Sequence, residues 1–214
     1  MVFITCIVGL IDDKKIYIGG DRLATDGIGT KHNLQMKKVW KKGEEMIFGS
    51  AGSVRGFQLL SHGSAIPPIK KGQSIEEYLV LDFADAMKRA LALGGELHDK
   101  HGIETGFNHM ILGYEGRLFS FYEDMAYIEI VEKYTAIGSG SRFALGSLYS
   151  TENMEISSEK RIKLALESAQ KFNAYVQEPY DIISLIKPCD DNNDPVANIM
   201  DNILDKANNM MKDE

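Results

Sequence analysis

Cysteine is scarce in this chain: among 214 residues there are two, Cys6 and Cys189. That is too few for a disulfide framework, and the spacing is not that of a metal site, so a reducing cytoplasm is expected and no metal. Positive charge is also in short supply, with 24 Lys and Arg against 31 Asp and Glu and a formal net charge of -7. A broad phosphate-binding surface needs clustered cations, which argues against nucleic acid as a partner. No run approaches the roughly 18 to 20 apolar residues of a membrane helix, so no membrane span is expected. The apolar start lacks a basic leader and runs into Asp12 and Asp13, and so reads as a core strand and not a signal peptide. There is no internal repeat.

What is present is ordinary globular material, 44% hydrophobic and 26% charged. A single core can grow to about 250 residues before it splits, so one domain is expected. Short β-branched runs at 4–10 and 15–19 flank Asp12, Asp13 and Lys14 and predict a hairpin. Further strands are predicted at 36–41 and 45–50. A short helix is predicted from Ser53, and a longer one from the capping box at Ser74 and Glu77 to Gly94 and Gly95, with Ile75, Leu79, Phe83, Ala86 and Ala90 at helical spacing. The second half predicts strands at 107–113, 117–122, 127–131 and 134–137 and helices at 141–149 and 158–172. The last helix carries Ile162, Ala165, Leu166, Ala169 and Phe172 on one stripe, and a strand at 182–186 follows. Strands, helices, strands and helices in that order imply an α+β sandwich whose two sheets bury one face on each other and the other under helices. The domain should span residues 1–186. From Lys187 onward Asp, Asn and Met dominate, and Pro195 fits the first turn of a helix reaching Asn209, an acidic helical tail over 187–214.

One constellation stands out. Thr5, Cys6, Ile7, Val8 and Gly9 open a strand, Gly19-Gly20-Asp21-Arg22-Leu23-Ala24-Thr25 follows, then Lys37-Lys38-Val39, a glycine-bearing segment at 49–60 with Gly52, and a segment at 136–141 with Gly138-Ser139-Gly140. This order and spacing resembles the proteasome β-type subunits, the N-terminal-nucleophile hydrolases, with HslV and small proteasome-like proteins of bacteria and phages nearest by pattern. The resemblance covers residues 5–186 and implies the four-layer αββα sandwich.

A terminal Thr can serve as nucleophile and base together, because its free α-amine, of pKa about 7.7–8.0, can take the hydroxyl proton. A Lys nearby favours the alkoxide, an Asp fixes that Lys, and a Ser can orient the amine. Carried over residue by residue, the resemblance implies Thr5 as nucleophile, Asp21 as partner of the lysine, Ser139 as partner of the amine, Gly52 as oxyanion N–H donor and Thr25 as a wall of the peptide cleft. Counting from Asp21 selects Lys37, whereas the Lys-Val context selects Lys38. Lys38 is preferred, and alternation along a strand allows only one of them to reach the site.

Four residues precede Thr5, with Ile4 immediately before it. While they remain attached, the Thr5 nitrogen is an amide and cannot act as the base. Two readings therefore compete. One is a threonine peptidase subunit that forms homo-oligomeric rings, takes peptides or unfolded proteins and works with an ATP-dependent unfoldase, without cofactor. The other is a non-catalytic assembly protein with a blocked site. A small-molecule amidase on the same fold is a third. His98, Asp99, Lys100 and His101 have ligand types but read as a solvated loop. Asp190, Asn192 and Asp194 resemble the start of a calcium loop, yet Pro195 stands where that loop needs Gly. Cys6 reads as a buried small apolar residue.

Overall fold

The computed structural model describes residues 5–26, 29–100, 102–106 and 108–187. Strands β1 (Ile7–Ile11) and β2 (Lys15–Asp21) form the first hairpin, its turn closed by Asp12 Oδ1, which accepts the N–H groups of Lys14 and Lys15 at 2.9 and 2.8 Å. A small ribbon of β3 (Leu23–Thr25) and β4 (Lys31–Asn33) comes next, followed by β5 (Val39–Lys42) and β6 (Met46–Gly52). Helix α1 (Val54–Gln58) runs into a π segment, Leu59–Gly63. Helix α2 (Ile75–Glu77) continues through a second, Tyr78–Phe83, into α3 (Ala84–Leu93). A short hairpin, β7 (His98–Lys100) and β8 (Ile103–Thr105), precedes β9 (Asn108–Tyr114), β10 (Arg117–Phe121), β11 (Tyr127–Glu129) and β12 (Tyr134–Ile137). Helices α4 (Ser141–Ser150) and α5 (Ser158–Phe172) and strand β13 (Tyr180–Ile186) complete the described chain.

Two antiparallel sheets result, ordered β12-β1-β2-β13 and β11-β10-β9-β6-β5. Alternation sorts their side chains into three apolar layers. Cys6, Val8, Leu10 and Tyr17 pack under α4 and α5 against Ala144, Leu148, Ile162 and Leu166. Ile7, Ile16, Ile18, Ile47, Ile111 and Leu118 fill the space between the sheets. Phe48, Leu112 and Phe119 face Tyr78, Leu79, Phe83 and Met87 on the opposite side. Helices, sheet, sheet and helices make the four-layer αββα sandwich.

Close approach of the layers explains several glycines. A Cβ on Gly19 would lie 2.4 Å from Ile162 Cγ2 on α5, and one on Gly20, facing the other way, 2.6 Å from Ile7 Cδ1. The Gly-Gly pair thus lets both faces of β2 pack tightly just before Asp21. The helix starts follow their signals: Ser74 Oγ accepts the Glu77 N–H at 3.1 Å and Ser157 Oγ that of Lys160 at 3.2 Å.

Differences from the sequence reading have local causes. His98, Asp99 and Lys100 lie in strand β7 and not in a loop; Gly102, at φ +82°, makes the turn to β8. The ribbon β3–β4 was not anticipated, its strands being only three residues long and, in β4, fully exposed. Phe172 belongs to no buried stripe: it is 66% exposed and its ring lies 5.5 Å from that of Phe143. The first strand begins at Ile7, since the Cys6 N–H turns to a side chain, and β5 begins at Val39. Phe107, His101, the tail helix and the Asp190–Asp194 motif lie outside the described residues. Among those described, no helix is long and apolar enough to cross a membrane.

Candidate active site

Asp21 ends β2 with no exposed surface, so its charge must be met within the protein. Its Oδ1 accepts the Cys6 N–H at 2.9 Å and the Thr5 hydroxyl. Its Oδ2 accepts the Leu23 N–H at 2.9 Å and Lys38 Nζ at 3.0 Å. Lys38, only 8% exposed, spends its three N–H bonds on Asp21, on the Leu23 carbonyl at 2.6 Å and on Thr5 Oγ1. The polarity is consistent throughout: Thr5 Oγ1 donates to the carboxylate and accepts from the ammonium. Burial pushes the Lys38 ammonium below its usual pKa, while Asp21 pulls it back up. Burial and then Asp21 push the Cys6 thiol up, so it stays protonated and inert.

The backbone of Thr5 is held separately. Its carbonyl accepts the Gly140 N–H at 3.2 Å and the Ser139 hydroxyl at 3.3 Å, and its N–H reaches Ser139 Oγ at 3.4 Å. Gly138, at φ +90°, passes so close that a Cβ there would sit 2.5 Å from the Thr5 oxygen. Asn173, at the end of α5, donates from Nδ2 to the Ser139 carbonyl at 2.7 Å. Lys37 points elsewhere: 57% exposed, its Nζ lies 3.7 Å from Asp181 Oδ1, and Arg22 clasps the same carboxylate with two bonds of 2.6 Å.

Thr5 forms part of the wall of a cleft of about 800 Å³, with Thr25, Lys38, Gly52, Phe57 and Tyr175 among the other lining residues. Gly52 ends β6 at φ +136°. The Ser50 N–H donates to the Lys38 carbonyl at 3.1 Å, and successive N–H groups along a strand alternate in side. Continued alternation puts the Gly52 N–H on the Ser50 side, past the first residue of β5, and Gly52 itself lines the cleft. Thr25 Oγ1 is buried without a hydrogen-bond partner.

Thr5, Asp21, Lys38 and Ser139 thus meet in one hydrogen-bonded cluster, with Gly52 and Thr25 on the adjoining wall. The Leu23 carbonyl, the Cys6 N–H, Asn173 and the Arg22–Asp181 pair were not legible in advance. Backbone groups carry no residue signal, and Asp181 lies 159 positions from Arg22. Among the described residues, no group of three His, Cys, Asp or Glu side chains could hold a metal ion.

Solved structures share this architecture. BPH from Thiobacillus denitrificans superposes with a TM-score of 0.73 at 20% identity, covering 86% of this chain and 100% of that one. HslV from Trypanosoma brucei gives 0.61 at 18%, covering 85% and 99%. Anbu, an ancestral β-subunit from Yersinia bercovieri, gives 0.62 at 15%, covering 85% and 81%. All three are proteasome-type β subunits. This chain has the proteasome β-subunit fold. No family profile and no curated protein matches it by sequence. Within the proteasome fold, the buried Thr5–Lys38–Asp21 cluster sits where β1, β2 and the lead-in to β5 converge, at one end of the inter-sheet layer.

Proposed function

We propose that this chain is a threonine-type peptidase subunit whose nucleophile is Thr5 once that residue is N-terminal. The observation that carries the reading is the placement of Thr5 Oγ1 between a buried ammonium and a buried carboxylate, at the wall of a large cleft. With a free amine, the Thr5 nitrogen takes the hydroxyl proton and Oγ1 attacks the scissile carbonyl. The carbonyl electron pair moves onto its oxygen, and the Gly52 N–H receives that charge. Collapse of the intermediate returns the pair to the carbonyl and expels the amine, which takes a proton from the ammonium of Thr5. Water then releases the acyl group by the same steps. Lys38 holds positive charge against the alkoxide throughout, and Asp21 holds Lys38 in place.

Ring assembly and unfolded-protein substrates are proposed from the fold shared with HslV and Anbu, and delivery by an unfoldase belongs to the same reading. A T. denitrificans BPH structure holds epoxomicin. In the chain as it stands, Ile4 is bonded to the Thr5 nitrogen, which favours a second reading: a blocked, non-catalytic assembly protein.

One experiment separates the two. A fusion cleaved directly before Thr5 is compared with the full chain and with Thr5→Ala in hydrolysis of fluorogenic peptides. Hydrolysis by the freed chain, absent from the other two, is the expected result. An inactive freed chain would leave the assembly reading standing, and hydrolysis by Thr5→Ala would refute Thr5 as nucleophile.

A further inference from the structure

The wall that carries Gly52 is held by one buried side chain. Asn108 opens β9 directly opposite Gly52 in the ladder and is 2% exposed. Its Nδ2 donates to Ser50 Oγ at 3.2 Å and to the Ser53 carbonyl at 3.0 Å, the residues that bracket Gly52. Ser50 Oγ in turn donates to the His109 carbonyl at 3.2 Å, so it can only accept from Asn108. A flipped amide would set Oδ1 against the Ser53 carbonyl, acceptor against acceptor, so the orientation is determined. Oδ1 itself is buried without a hydrogen-bond partner and lies against Gly56 of α1, where a Cβ would come within 1.9 Å of it. Such a buried, unpaired acceptor is costly and calls for a reason.

We propose that Asn108 is a positioning residue for the oxyanion wall: it clamps Ser50 and Ser53 so that the Gly52 N–H faces the reacting carbonyl, and Gly56 is glycine to admit it. This rests on the peptidase reading above, because Gly52 matters only if an oxyanion forms there. A donor must sit about 2.7–3.1 Å from the oxyanion, so a small rotation of the wall is felt in the transition state far more than in substrate binding.

The test uses the chain freed at Thr5, with Asn108→Asp, which keeps the shape but removes the donors, and Gly56→Ala, which displaces Asn108. Each is measured on a fluorogenic peptide and on a peptide vinyl sulfone. The sulfone alkylates Thr5 by addition to its double bond, so no oxyanion develops at a carbonyl. The expected result is a kcat lower by about 10- to 100-fold, short of the 10²–10³ lost with an entire donor, with KM and the limiting alkylation rate within about twofold. An unchanged kcat, or alkylation falling in step with kcat, would overturn the proposal, the second outcome marking general damage to the nucleophile. Thr5→Ala reads the layer beneath: peptide hydrolysis surviving that change overturns the peptidase reading, whereas its loss there with full kcat in Asn108→Asp overturns the positioning role alone.

Discussion

Replacing Lys38 by methionine separates what the ammonium does for the fold from what it does for chemistry. Methionine matches the length of the lysine stem, so the perturbation is the loss of a charge and three donors from a site only 8% exposed. Asp21, with no exposed surface, keeps the Cys6 and Leu23 N–H groups at 2.9 Å each and the Thr5 hydroxyl, but loses the Lys38 ammonium 3.0 Å from its Oδ2. The Leu23 carbonyl loses the Lys38 bond of 2.6 Å. Breaking one side of a buried ion pair typically costs about 3–5 kcal/mol, since the remaining charge stays buried and uncompensated. For a domain of this size a kcal/mol lowers Tm by about 2–4 °C, so Lys38→Met should melt about 6–20 °C below the parent. Adding Asp21→Asn removes the stranded charge, so the double variant should recover part of that loss. Peptide hydrolysis by the freed chain should be lost in both. Thermal melts and chemical denaturation of the parent, both single variants and the double variant form a double-mutant cycle. A single variant as stable as the parent, or a double variant less stable than Lys38→Met, would refute the argument that this pair is held by mutual compensation.

Lys37→Ala should leave hydrolysis by the freed chain within about twofold of parent, because that ammonium is 57% exposed and faces Asp181; a loss matching that of Lys38 would reverse the assignment in a peptide assay. In the pH–rate profile of the freed chain, the rate should rise through about pH 7.7–8.0 as the Thr5 amine becomes neutral. It should fall again below the ordinary lysine value of 10.5, since burial lowers the pKa of Lys38 and its charge is present only below that pKa; a plateau extending past 10.5 would contradict this. Two glycine substitutions should act with opposite sign in thermal melts. Gly49→Ala puts a Cβ 2.4 Å from Ile7 Cγ2 and 2.8 Å from Ile18 Cγ2, costing about 1–3 kcal/mol by overpacking between the sheets. Gly146→Ala, within α4 with nothing within 4 Å, should stabilise by about 0.5–1 kcal/mol.

Much of the fold could be read from the chain because most of its signals are local. The Asp12 turn, the Ser74 cap and the short β-branched runs of β1 and β2 each act within a few residues, where spacing and propensity decide the conformation. The stripe of α5 was legible for the same reason up to Ala169, and failed at Phe172, which is largely exposed and packs on Phe143 instead. The β7–β8 hairpin was missed because its composition is polar.

Sequence alone determined the chemical types at the candidate site and their order: a Thr, a Gly-Gly-Asp, a Lys-Lys-Val with Lys38 preferred over Lys37, and a Gly-Ser-Gly. Only the tertiary structure shows where each of those lysines lies. Lys38 lies under β3 with its ammonium on the Leu23 carbonyl, while Lys37 is turned to the surface, and that placement depends on where a three-residue ribbon folds back. Asn108 likewise has no local mark. Its amide matters because β9 lies beside β6 in a register that places it opposite Gly52, 56 residues away in the chain, a pairing made by the sheet and not by any neighbour in sequence.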